Sequence, residues 1–211
     1  MIRAVLFDLD GVLADAADCH FEALNLALEE VSGISVFPEE RDVYEGMSTR
    51  QKLVRIVEHG RLPPGTEEAV YRLKQAHTVR LVEERIEPDP VKMMTCRMLR
   101  GDGQKLACVS NCIRASVDAL LRLSDLARFM DVTVSNEDVE HPKPAPDPYL
   151  LACRLLSVTP SEALAVEDHE RGVQSAIAAG CHHVQLEYQG VNYFRVKKAI
   201  DGLTKPRRFV I

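Results

Sequence analysis

No stretch of this chain stays apolar for long. None reaches the ~18 residues that a helix needs to cross a bilayer, so a transmembrane protein is not expected. The opening segment, Met1 to Asp8, meets an acid too early to hold the apolar centre of a signal peptide. Positive charge is in deficit: 26 Lys and Arg stand against 32 Asp and Glu, a net charge of −6. The pI is near 5.7. Such a balance lacks the broad positive field that favours nucleic acid or anionic membrane, and neither is expected as a partner. The cysteines, Cys19, Cys96, Cys108, Cys112, Cys153 and Cys181, form no Cys-x-x-Cys pair and no zinc-like spacing. There is no Asn-x-Ser/Thr sequon. Reduced thiols in a cytoplasmic protein are the expectation.

What is present is an ordinary globular composition, 46% hydrophobic and 27% charged, over 211 residues. That length holds one domain, or one with an insert. Short continuous apolar runs recur at Ala4–Phe7 and Leu106–Val109, with weaker ones at 132–134, 164–166 and 183–186. Runs of this kind suit strands buried on both faces. Helical spacing fills the gaps at 114–123, 148–156 and 172–179, with Gly180 as a stop. Strands alternating with helices predict an α/β fold with a doubly wound parallel sheet, a Rossmann-like core. Residues 16–85 break the alternation. Phe21, Leu24, Leu28 and Val31 repeat at helical spacing, Ser48 to Gln51 reads as a capping box, Gly60 as a stop, and Thr66 as the cap of a third helix. Glu87-Pro88-Asp89-Pro90 then breaks the chain. The prediction is a catalytic core at 1–15 and 86–211 with an all-helical cap inserted at 16–85, attached beside the end of the first strand.

The residues after each strand carry the chemistry. Asp8-Leu9-Asp10-Gly11 follows the first, Ser110-Asn111 the second, a loop with Lys143 between two prolines the third, and Glu167-Asp168 the fourth. In doubly wound sheets these ends share one edge. Acids gathered there suit Mg²⁺, and a hydroxyl, backbone N–H groups and a lysine suit a phosphate. Together they describe magnesium-assisted phosphoryl transfer. Side chains two apart at a strand end share a face, so of Asp8 and Asp10 one can attack phosphorus and the other can hand a proton to the leaving oxygen.

The ordered set Phe7 to Asp15, Val109-Ser110-Asn111, Lys143 to Leu150 and Val166-Glu167-Asp168, with Gly172 and Ala176 to Gly180, resembles haloacid dehalogenase superfamily phosphohydrolases. It is most similar to the branch with β-phosphoglucomutase and phosphoglycolate phosphatase. The resemblance implies Asp8 as the nucleophile that becomes an aspartyl-phosphate, and Asp10 as general acid and then base. It also implies Mg²⁺ held by Asp8, the Asp10 main-chain carbonyl and Asp168, with Glu167 at or near it. Ser110 and Asn111 hold the phosphoryl, and Lys143 neutralises it. His20, Arg50 and Lys74 are the cap residues nominated for substrate, Arg50 through Gly46-Met47-Ser48-Thr49-Arg50; Lys74, like His77, is a weaker candidate than the other two. Each also fits an ordinary helix-surface position.

The chain departs from the family at His169, where a small hydroxyl residue is usual, and at Val91, where the returning hinge is often Pro-Gly. The pattern ends near Gly190, and Lys205-Pro206-Arg207-Arg208 reads as a solvated tail. The resulting expectation is a Mg²⁺-dependent phosphatase of a small phosphorylated metabolite, a sugar phosphate, working as a monomer or weak homodimer. A β-phosphoglucomutase-like mutase is the alternative, disfavoured by Ala16 at the cap hinge. A receiver-like binding module is remote, because receivers need only about 120 residues and no such insert.

Overall fold

The computed structural model describes residues 1–44, 47–186 and 190–204. Five parallel strands form one sheet in the order β3-β2-β1-β4-β5. They are β1 (Ala4–Phe7), β2 (Lys105–Val109), β3 (Val132–Val134), β4 (Ala163–Glu167) and β5 (His182–Gln185). The fully buried run Ala4–Phe7 takes the central position, pairing with β2 on one side and β4 on the other. Glu167 closes β4 as a strand residue, which places a carboxylate inside the sheet edge.

Helices cover both faces. The intervening ones are α1 (Ala17–Ser32), α2 (Arg41–Tyr44), α3 (Thr49–Glu58), α4 (Glu67–Arg85), α5 (Pro90–Gly101), α6 (Arg114–Leu123), α7 (Asp147–Leu155), α8 (Glu170–Ala178) and α9 (Tyr193–Thr204). Alternation along the strands sorts the core in two. Val5, Phe7, Leu106, Cys108, Leu164 and Val166 pack toward α5, α6 and α9. Ala4, Leu6, Ala107, Val109, Ala163 and Ala165 pack toward α7 and α8. This is the two-sided burial that continuous apolar strands need.

Between β1 and α5 the described residues form α1 to α4 and no strand. They hold a cluster of their own around Leu24, Leu28, Leu53, Ile56 and Val70. Cys19, Ala23, Leu81 and Val82, at the sheet-proximal ends of α1 and α4, join the core cluster instead. The capping box forms: Ser48 Oγ accepts from the Gln51 N–H at 3.3 Å, and Gln51 Oε1 accepts from the Ser48 N–H at 3.0 Å. Thr66 departs from expectation. Its hydroxyl donates to Pro63 O at 2.7 Å and caps nothing. The Glu87–Pro90 break is also the start of a helix, because Asp89 accepts from the Val91 and Lys92 N–H groups and Pro90 opens α5. Gly46 and the tail from Lys205 lie outside the described residues. Among the described residues no helix is long and apolar enough to cross a membrane.

Candidate active site

The carboxyl ends of β1, β2 and β4 face the helical insertion across a cavity of about 170 Å³. Asp8 leaves β1, and its N–H is still tied to Val166 O on β4 at 2.9 Å. Gly11 turns the chain with φ +77°, and a Cβ there would overlap the Asp168 carboxylate. Only glycine permits both the turn and that approach. Gly172, in the first turn of α8, likewise leaves room for the Glu167 carboxylate.

Lys143 organises the floor. Its Nζ donates to Asp8 Oδ1 at 2.6 Å, to Glu167 Oε1 at 2.6 Å and to Val109 O at 2.7 Å. Burial works against its charge, but Asp8 and Glu167 outweigh burial and hold the ammonium above its usual range. Glu167 also accepts from the Tyr149 hydroxyl. Burial, helped by Asp8, pushes Glu167 up to about 8. Burial and the Asp8 charge push Asp168 up to about 7, and burial raises Asp8 itself. Three carboxylates, on Asp8, Glu167 and Asp168, offer oxygens within 4.8 Å of one another.

Asn111 differs from expectation. Its side chain accepts from the Lys143 N–H at 2.9 Å and donates to Lys143 O at 3.1 Å, so it clamps the lysine loop. The Ser110 hydroxyl is buried and accepts from the Cys112 N–H at 3.0 Å.

Asp10 faces the insertion. His20 Nε2 lies 3.1 Å from Asp10 Oδ2, and Cys112 Sγ donates to the same oxygen at 3.2 Å. Burial raises Asp10, but His20 and Cys112 outweigh it and bring the carboxyl down to about 2. Lys74 Nζ sits 3.1 Å from His20 Nδ1. Burial lowers Lys74 to about 8 and also lowers His20. A neutral His20 satisfies both contacts, accepting at Nδ1 from Lys74 and donating from Nε2 to Asp10.

Of the nominated cap residues, His20 and Lys74 line the cavity and Arg50 does not. Arg50 ion-pairs with Glu68 at 3.1 Å and stacks on Tyr71 at 4.1 Å, over an outer groove. Thr49 and Lys52 of α3 take the inward positions. His77 pairs with Glu30 at 2.8 Å, away from the cavity. His169 is the N-cap of α8, accepting from the Arg171 N–H at 3.2 Å. Cys112, Lys52 and Arg171 also line the cavity, although no motif marked them. Cys112 could have been found two residues after Ser110, on the same strand-end loop.

Comparison with known proteins gives the family and the fold. The family profile of haloacid dehalogenase-like hydrolases matches residues 5–186. A phosphoglycolate phosphatase of Nitrosospira multiformis is 32% identical over 191 residues, 89% of this chain and 84% of that protein. CbbY from Rhodobacter sphaeroides, solved with phosphate and, as a mutant, with xylulose-(1,5)bisphosphate, superposes with a TM-score of 0.81. It is 28% identical and the match covers 89% of this chain and 87% of that one. The β-phosphoglucomutase of Clostridium difficile shares the fold, with a TM-score of 0.82 at 21% identity over 97% of this chain and all of that one. With a profile spanning the sheet, the insertion and every strand-end motif, the chain belongs to the haloacid dehalogenase-like hydrolase family and is a phosphoric monoester hydrolase.

Proposed function

We propose that the enzyme is a Mg²⁺-dependent phosphatase of a small phosphorylated metabolite, a sugar phosphate in the first instance, acting through an aspartyl-phosphate on Asp8. The observation that carries this reading is Lys143 lying 2.6 Å from both Asp8 and Glu167 at the edge of the sheet. A buried ammonium there sets the nucleophile and offsets the charge of an arriving phosphoryl group.

The donor set suits Mg²⁺. Asp8 and Asp168 would be hard carboxylate ligands; burial chiefly raises both, the neighbouring aspartates add to it, and a divalent cation would relieve that cost. Asp10 Oδ1 is buried with no hydrogen-bond partner. The family pattern adds the Asp10 main-chain carbonyl, with Glu167 behind, engaged by Lys143 and Tyr149. When bound, the ion neutralises phosphoryl oxygens and keeps Asp8 ionised.

In the first half of the reaction an Asp8 oxygen attacks phosphorus and the ester P–O bond breaks. Asp10, ionised in the free site, passes to the leaving oxygen a proton that it receives from His20 Nε2. Lys74 and His20 can resupply that proton: Lys74 gives one to His20 Nδ1 and His20 Nε2 gives one to Asp10. In the second half Asp10 takes a proton from water as the water attacks phosphorus, and the bond to Asp8 breaks. The Ser110 hydroxyl and main-chain N–H groups of its loop hold the phosphoryl oxygens. The curated relative's name makes phosphoglycolate a substrate to try beside the sugar phosphates. A cytoplasmic setting is supported by six free thiols, with Cys153 and Cys181 unbonded at 3.9 Å.

The test is phosphate release over a panel of sugar phosphates, phosphoglycolate and nucleotides, with and without Mg²⁺. Release that requires Mg²⁺ is the expected result. Conversion of a hexose 1-phosphate into its isomer without release would favour the mutase. No release from any ester would overturn the reading.

A further inference from the structure

Three partly buried arginines of this fold each answer to a carboxylate. Arg41 meets Asp18, Arg61 meets Glu40 and Arg114 meets Asp138. Arg171 is different. Among the described residues it forms no ion pair, and its Nε is buried with no hydrogen-bond partner. Its one side-chain contact is Nη2 to Gln51 Oε1 at 3.5 Å, and that oxygen already accepts from the Ser48 N–H at 3.0 Å. A planar guanidinium with donors to spare is costly to hold in a half-buried place unless something comes to meet it.

Its position says what would come. Arg171 is three residues after Asp168, in the first turn of α8, on the core side of the cavity. Across from it are Thr49 and Lys52 of α3. Lys74, on the same cavity, is buried, and among the described residues its ammonium hydrogen-bonds to His20 alone. The floor already has its own cation for the transferred phosphoryl, Lys143, whose donors are all engaged. Arg171 and Lys74 thus add positive charge around the cavity beyond what a single phosphate monoester needs.

We propose that Arg171 is a specificity-determining residue that receives a second oxyanion, a carboxylate or a second phosphate, at the end of the substrate away from the scissile bond. The preferred substrates then carry two anionic groups. This rests on the phosphatase reading above and adds to it. The guanidinium fork suits either oxyanion, since both present two oxygens to parallel N–H donors. Binding exchanges the long contact to Gln51 for charge-assisted hydrogen bonds.

The experiment uses matched pairs of esters with the full chain and Mg²⁺: 2-phosphoglycolate against ethyl phosphate, and glucose 1,6-bisphosphate against glucose 1-phosphate. The first pair tests the carboxylate and the second the phosphate. The wild-type enzyme should prefer the doubly anionic member of at least one pair by tenfold or more in kcat/KM. Arg171→Gln should shrink that preference by about 10- to 100-fold, through KM, and Arg171→Lys should restore part of it. Equal melting temperatures for the three proteins would show that the fold is kept. Equal kcat/KM within both wild-type pairs would overturn the proposal while leaving the phosphatase standing. So would an Arg171→Gln enzyme that keeps the full preference, or one that loses both members of a pair alike. Release from none of the four esters would overturn both readings.

Discussion

On the floor of the cavity Lys143 spends its donors on Asp8, Glu167 and a main-chain carbonyl, while on the facing wall Lys74, among the described residues, hydrogen-bonds to His20 alone. Both ammonium groups are buried. Their surroundings move them in opposite directions. Two carboxylates hold Lys143 above its usual range, whereas burial takes Lys74 down to about 8. A charge fixed by partners sets geometry; one left short of partners awaits a ligand or a proton. On the proposed function the sheet edge fixes the chemistry, and the helical wall chooses what is brought to it.

The contrast can be broken from either side. The largest effect should come from the floor: Asp8→Asn should lower phosphate release by about 10⁴-fold or more, since an amide is a poor nucleophile. Circular dichroism should show the fold kept, and residual activity near wild type would defeat the nucleophile assignment. Next, Lys143→Met strands Asp8 and Glu167 without their counter-charge. It should cost about 3–5 kcal/mol in urea unfolding at neutral pH, together with activity.

Lys74→Met should behave oppositely in stability, with a change from nothing to a gain of about 1 kcal/mol, because a buried ammonium with no carboxylate is removed. The sign can be checked against pH. Lys74 is depressed from 10.5 to about 8 in the folded chain. Above pH 8 the unfolded chain holds the proton that the folded chain has released, so wild-type stability gains from this group as pH rises toward 10.5. Activity should fall over the first part of that range as the proton supply to His20 is lost. The Lys74→Met enzyme should be slower and should lack both trends; a profile identical to wild type would remove Lys74 from the relay. The smallest effect should be Arg50→Ala. Its exposed pairing with Glu68 lies outside the cavity, so kcat/KM should stay within about twofold and stability within about 1 kcal/mol.

Much of the floor was legible in the sequence because Asp8, Ser110, Glu167 and Asp168 stand at or just after strand ends, whereas Lys143 lies a loop beyond β3. Once Ala4–Phe7 and Leu106–Val109 are strands, Asp8 and Ser110 must emerge at one edge. The wall was less so. Arg50 and Lys52 sit in one helix whose start the Ser48 capping box marks, but the box does not set the rotation of that helix against the core. Thr49 and Lys52, three apart, share the inward face, and Arg50, about 100° round from Thr49, points away. Arg171 lines the cavity only because α8 faces another part of the chain, which no local pattern marks. Asp89-Pro90 was read as punctuation, yet the same residues form an N-cap and a first helical turn. In α9 only Val196 and Ile200 are fully buried, too thin a stripe to betray a helix.

The central claim is that the phosphoryl group passes through Asp8 on its way to water. The most direct measurement is the stereochemistry at phosphorus when the enzyme hydrolyses a phosphate ester made chiral with oxygen isotopes. Two in-line displacements, first by Asp8 and then by water, predict phosphate with net retention of configuration. Net inversion would mean that water attacks the ester directly, and would contradict the account.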